Sequence, residues 1–200
     1  GEDTLRLAHL WPNANIYTFE PNPSAFEKLQ HNIKPYPKIR AFPFALYNFC
    51  GMAQFYLQDH YDNDGASSIL PASRDYSEST HIHDWWYIEH PIEVPCFTLS
   101  SWALQYQIDH IDLMWLDLEG AELQVLQSDL SLLQTVKAIY TEVNFQEYRK
   151  GMTQYNDLSA FLKEQMFYEI LIGSDRHCQC NALYFRSSMI EALSQPKIQI

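Results

Sequence analysis

Short β-rich runs alternate with amphipathic helical segments along almost the whole chain, and few folds accept that alternation. Residues 2–11 carry Leu5, Ala8, Leu10 and Trp11 at helical spacing, and Pro12-Asn13 closes them. A β-rich run at 15–20 stops at Pro21. Residues 24–32 then read as a helix with Phe26, Leu29 and Ile33 on one stripe and Ser24 with Glu27 as a capping box. A buried strand is expected at 39–46, with 51–57 as its hairpin partner. Strands follow at 92–97, 111–117, 136–143 and 167–172, with an edge-proximal one at 182–186. Between and after them lie helices at 99–107, through Leu123 and Leu126, at 156–165 and at 189–193. The pattern predicts one α/β domain over residues 1–200, a parallel-dominated sheet covered by helices on both faces.

Composition narrows the partners. The 200 residues carry 25 acidic and 13 basic side chains, a formal net charge of −12. A surface of that sign repels phosphate backbones, so no nucleic-acid partner is expected. No stretch approaches the roughly 18 uncharged apolar residues of a membrane span. Cys50, Cys96, Cys178 and Cys180 are too few for a disulfide framework, and the last two are spaced wrongly for a zinc knuckle. They read as reduced thiols in a cytoplasmic protein.

Residues 58–90 break the alternation. They are rich in Asp, Ser and His, include Gly65-Ala-Ser-Ser68, and carry Trp85-Trp86-Tyr87 as if to fold back over something. A stretch of this length is expected to be a lid or substrate loop. His81, His83 and His90 with Asp84 lack the paired spacing of metal ligands, as does His177 beside Cys178, so no metal site is assigned. A nucleophile elbow and a Ser-His-Asp order are both absent from the sequence, which removes hydrolase chemistry.

In open α/β sheets ligands bind beyond the carboxyl ends of the strands, so the residues that close each strand matter most. Glu20, Ala45-Leu46, Asp117 and Glu142 stand there. A carboxylate at Glu20 can accept hydrogen bonds from both hydroxyls of a ribose, and Gly1 lies about 20 residues upstream, the spacing between a glycine loop and such an acid. Glu20-Pro21-Asn22-Pro23 is equally good turn chemistry. Asp117-Leu-Glu119-Gly120-Ala-Glu122 sets two carboxylates on one side of an extended segment before a tight turn. Glu119 and Glu122 also suit the start of a helix, where the dipole favours negative charge.

Tyr17-Thr-Phe-Glu-Pro-Asn-Pro23, Gly65-Ala-Ser-Ser68, Asp112-Leu-Met-Trp-Leu-Asp-Leu-Glu-Gly-Ala-Glu122, Tyr140-Thr-Glu-Val-Asn144 and Tyr148-x-x-Gly151 together resemble the FkbM family of methyltransferases. The resemblance runs along nearly the whole chain and is most specific at 117–122. It implies a Rossmann-like, class I three-layer sandwich that uses S-adenosyl-L-methionine to methylate an oxygen, on a sugar, glycan or natural-product hydroxyl. Carried over, Glu20 holds the ribose, with Pro21 and Asn22 in the same cofactor turn. Gly1 is the last glycine of the loop beside the methionine moiety, Ala45 and Leu46 flank the adenine, and Asp117 faces the methionine end. Trp115 departs from the lysine of many relatives. The family's first strand and the rest of its glycine loop are expected to precede Glu2, so the residues from Gly1 onward are expected to bind cofactor poorly alone.

Methyl transfer to oxygen needs alignment and a base for the hydroxyl proton. Glu119, Glu142 and Asp117 are the candidates, in falling order. Two other functions share part of the pattern. A nicotinamide-dependent oxidoreductase would use the same glycine and Glu20, but the chain lacks a Tyr-x-x-x-Lys pair and room for a second catalytic domain. A non-catalytic Rossmann-like binding domain would keep the fold alone.

Overall fold

A computed structural model describes residues 1–58, 66–73, 89–173 and 178–194. The elements are α1 (Glu2–Leu10), β1 (Ile16–Phe19), α2 (Pro23–Ile33), β2 (Ile39–Phe42), β3 (Ala45–Leu46), β4 (Gly51–Gln58), β5 (Glu89–Phe97), α3 (Leu99–Tyr106), β6 (Leu113–Leu116), α4 (Glu122–Gln127), α5 (Leu130–Leu133), β7 (Ala138–Asn144), α6 (Tyr155–Glu164), β8 (Phe167–Ile172), β9 (Gln179–Arg186) and α7 (Ser187–Ser194). The strands form three sheets, ordered β1-β2, β3-β5-β4 and β6-β7-β9-β8.

Alternation along β1 shows how the layers arise. Tyr17 and Phe19 point to one face and meet the indole of Trp102 on α3 edge-on, at 5.4 and 5.0 Å between ring centroids. Thr18 points to the other face, where its hydroxyl lies 3.2 Å from that of Thr4 on α1. Trp102 is buried in a core that runs from Phe42 and Phe44 through Met114, Leu126 and Ile139 to Leu162 and Tyr184.

The acid-bearing strands pair in parallel, Phe19 opposite Phe42 and Leu116 opposite Thr141. Three expectations need correcting. The sheet is less parallel than predicted, since three of the six pairings among the described residues are antiparallel: β4 with β5, β7 with β9 and β8 with β9. The strand expected at 39–46 is two strands, because Pro43 has no N–H to continue the ladder. β4 pairs with β5 rather than with that strand, Gly51 opposite Cys96 and Gln58 opposite Glu89. β9 is edge-proximal as expected, lying between β7 and the edge strand β8 with Cys180, Ala182 and Tyr184 buried. The capping box at Ser24 is also replaced. Asn22 is the cap of α2, its side chain accepting from the backbone N–H of Ser24 at 3.0 Å.

Between β1 and β6 runs a trough of about 1260 Å³, walled by Ile16–Glu20 on one side and Leu113–Leu118 on the other. Among the described residues β1 pairs only with β2 and β6 only with β7, so each turns an open edge toward this trough. Within the 58–90 stretch, Gln58 completes β4, Glu89 and His90 begin β5, and 66–73 is described. Gly65, His81, His83, Asp84, Trp85, Trp86 and Tyr87 lie outside the described residues, as does His177.

Candidate active site

Gly1, Glu20, Leu46 and Asp117 all line the trough. Gly1 sits against α2 so closely that a Cβ there would lie 2.6 Å from Leu29 Cδ1, which admits glycine and little else. Glu20 is half-buried, and its carboxylate accepts from the backbone N–H of Asn22 at 2.9 Å. Asn22 is buried and its side-chain oxygen is committed to Ser24, so its place in the turn is structural. Leu46 faces the trough. Ala45, its neighbour, turns away into a smaller core with Ala53, Phe55, Val94 and Cys96.

The second half of the site is the turn after β6. Glu119 has a left-handed backbone with φ of 50°, and Gly120 follows at 101°. Such a conformation costs a non-glycine residue on the order of 1–3 kcal/mol and persists only where surroundings impose it. Here a Cβ on Gly120 would meet Met152 Cβ at 2.5 Å, and the Gly120 carbonyl accepts from the N–H of Thr153 at 2.6 Å. Glu122 folds back beneath the turn, one carboxylate oxygen accepting from the N–H groups of Leu118 and Gly120 at 3.1 and 3.2 Å. Its other oxygen is buried with no hydrogen-bond partner among the described residues.

The turn brings three carboxylates together. Oxygens of Asp117, Glu119 and Glu142 lie within 4.8 Å of one another. The parallel register explains the pairing of Asp117 with Glu142, because one step beyond Leu116–Thr141 sets them side by side. Glu142 does not end its strand as expected, for β7 continues to Asn144. Like charges at this distance and poor solvation both favour protons. Burial, opposed by Arg149 and then reinforced by Glu142, Asp117 and Glu122, pushes Glu119 up to about 8. Burial and the charges of Asp117 and Glu122 push Glu142 up to about 7, and burial pushes Glu122 to about 7 against its backbone donors. Asp117 keeps an exposed side, yet desolvation of its carboxyl and the nearby Asp3 raise it as well.

Sequence reasoning missed Arg149 and Glu89. Arg149 is fully buried and lies 3.0 Å from Glu89 and 3.7 Å from Glu119. A lone arginine in a sequence reads as a surface residue, so its burial could not be anticipated. The one available signal was its place inside Tyr148-x-x-Gly151. Tyr148 is buried there, its hydroxyl donating to Asn144 at 2.9 Å and raised by burial and by Glu119, Glu142 and Glu122. No disulfide joins the cysteines among the described residues. No helix among the described residues is long and apolar enough to cross a membrane.

The described elements form a Rossmann-like α/β fold. Over 92% of its length the chain matches the crystal structure of methyltransferase FkbM from Methylobacillus flagellatus KT, with a TM-score of 0.56 at 12% identity, and it covers 40% of that chain. The family follows from the sequence: the model of the methyltransferase FkbM domain matches residues 1–170, and the chain belongs to that family. A curated relative is the 2-O-methyltransferase NoeI of Sinorhizobium fredii (strain NBRC 101917 / NGR234), 30% identical over 155 residues, 76% of this chain. The chain spans 62% of that relative's length.

Proposed function

We propose that this chain carries the S-adenosyl-L-methionine site and the proton-accepting carboxylates of an O-methyltransferase acting on a hydroxyl of a sugar, glycan or other small molecule. The observation that carries the reading is the convergence of Gly1, Glu20, Leu46 and Asp117 on one trough, with Glu119 and Glu142 beside Asp117. The residues fit the cofactor. Glu20 keeps a half-exposed carboxylate toward the trough, and Leu46 gives the same trough an apolar wall. When bound, the cofactor supplies a methyl group activated by a positively charged sulfur.

The chain's residues then have distinct roles. Glu20 would accept hydrogen bonds from the ribose hydroxyls, with Pro21 and Asn22 holding its turn, and Leu46 would give apolar contact to the adenine. Asp117 offers negative charge where the methionine end lies. The acceptor hydroxyl would pass its proton to a carboxylate, Glu119 first and Glu142 second. A carboxylate raised to between 7 and 8 holds and releases a proton near neutral pH, which suits that task. The relative named as a 2-O-methyltransferase supports oxygen as the methylated atom.

Calorimetry with S-adenosyl-L-methionine tests this on the full-length protein. Glu20→Ala should weaken binding by about 1.5–3 kcal/mol, the loss of hydrogen bonds to a charged group. Unchanged affinity would remove Glu20 from the site, and binding of NAD in place of S-adenosyl-L-methionine would overturn the reading. Binding without transfer of a labelled methyl to any hydroxyl acceptor would leave a non-catalytic domain.

A further inference from the structure

We propose that Arg149 is a positioning residue that makes docking of the 66–73 segment and ionisation of Glu119 one event. The inference rests on the reading of Glu119 as proton acceptor for its catalytic meaning, but its geometry stands independently.

One guanidinium holds both parts. Arg149 donates through Nη1 to the carbonyl of Leu70 at 2.8 Å and to Glu89 at 3.0 Å, and through Nη2 to the carbonyl of Ala66. Its Nε faces Glu119 at 3.7 Å and makes no hydrogen bond. Around this centre the same segment is strapped to the same neighbours. Ala72 donates to both oxygens of Glu89 at 3.1 Å, Ser73 donates to the carbonyl of Tyr148 at 2.8 Å, and Lys150 donates to that of Pro71 at 2.9 Å. Ser68 reaches the other side, its hydroxyl donating to the carbonyl of Glu119 at 3.1 Å.

The charges make the coupling directional. Asp117, Glu122 and Glu142 face Glu119 and oppose its ionisation. Arg149 favours it, and Glu89 shares Arg149 from the far side, with the hydroxyl of Tyr148 nearby. An ionised Glu119 therefore gives Arg149 a second anion and tightens the centre that holds Leu70 and Ala66. A protonated Glu119 leaves that centre to Glu89 alone. Coupling of this kind is reciprocal: ionisation of Glu119 tightens docking of the segment by the same factor by which docking eases the ionisation. The segment docks most firmly when the base is ready to accept a proton.

The test needs no acceptor. Carboxyl-carbon NMR of ¹³C-glutamate-labelled protein follows the titration of Glu119, assigned by its loss in Glu119→Gln, while amide hydrogen exchange follows Ser68, Ala72 and Ser73. Arg149→Lys keeps the charge but cannot reach Leu70, Ala66, Glu89 and Glu119 together. It should speed exchange of the segment by about tenfold or more and move the Glu119 titration to higher pH. In the unaltered protein, exchange corrected for its intrinsic pH dependence should slow as Glu119 ionises, and that slowing should vanish in Glu119→Gln. Ser68→Ala loosens the link from the other side and should move both readouts in the same directions by less. An arginine that served Glu119 and the segment independently would let Ser68→Ala loosen the segment without moving the titration. That result, or segment protection equal on both sides of the titration, would overturn the proposal. Failure of the catalytic reading looks different: Glu119→Gln would turn over at the rate of the unaltered protein while the two readouts still moved together.

Discussion

Two acid-led turns follow parallel strands in this molecule, and they rest on opposite kinds of support. The turn after β1 places Glu20 half-exposed over the trough, and its supporting residue, Asn22, is neutral and caps α2. The turn after β6 buries Glu122 beneath itself, forces Glu119 into a left-handed conformation and presses Asp117 and Glu142 together. The first arrangement offers an acceptor to a ligand's hydroxyls. The second holds protons near neutral pH. What separates them is the support: an amide side chain under one turn, a carboxylate under the other.

The contrast is broken most sharply at Glu119. In the full-length protein Glu119→Gln should lower turnover by on the order of 10²–10⁴ while leaving S-adenosyl-L-methionine affinity nearly unchanged, since it removes a proton acceptor and keeps the shape. Single-turnover kinetics beside calorimetry would separate the two. A mild effect at Glu119 with a large one in Glu142→Gln would transfer the base to the neighbouring strand.

Gly120→Ala comes next. The new Cβ meets Met152 at 2.5 Å in a backbone that side chains rarely adopt, so about 2–4 kcal/mol of stability should be lost. Chemical denaturation measures it, and a loss below about 1 kcal/mol would mean that the 117–122 turn is softer than its contacts imply.

The buried carboxylate predicts a pH effect whose sign can be fixed. Glu122 in the folded protein is raised from the ordinary value of 4.5 to about 7. Its stabilising contribution is therefore full below about pH 4.5 and is lost as pH rises through about 7, because only the unfolded chain ionises freely in that window. Glu122→Gln removes this penalty and keeps an acceptor for Leu118 and Gly120. Relative to the unaltered protein it should gain stability on going from pH 5 to pH 8, up to about 3 kcal/mol. A difference that stays flat with pH would show that Glu122 ionises as readily folded as unfolded.

The smallest effect belongs to the first turn. Asn22→Ala removes the cap of α2 and should cost about 1 kcal/mol, read as a lower melting temperature with little pH dependence. A pH-dependent loss would mean that Glu20 shares the proton-holding character of the other turn and that the contrast is wrong.

Local chemistry made much of this legible from the sequence. Pro21, Pro12 and the glycines punctuate the chain, and the apolar spacing between them sorts β1, α2, β6, α6 and β8 correctly, because those signals act over one or two turns. The run 117–122 announced both a tight turn and an acid cluster. The sequence also led to the FkbM family, which the match over residues 1–170 bears out. Pairing was a different matter. β4 finds β5 across an intervening stretch of about 30 residues rather than the strand beside it, and β9 enters the sheet between β7 and β8. Strand partners are chosen by long-range packing, which no local period encodes. The same holds at the site. Glu119 and Glu142 were visible as acids, but their common position, and with it their affinity for protons, exists only once β6 and β7 are in register. Arg149 shows the limit most plainly. As a residue type it predicts a solvated surface, and only the folded chain, by surrounding it with Glu89, Glu119 and the carbonyls of 66–73, turns it into a buried centre. A charge can be read from sequence, whereas its desolvation and its partners are properties of three-dimensional packing.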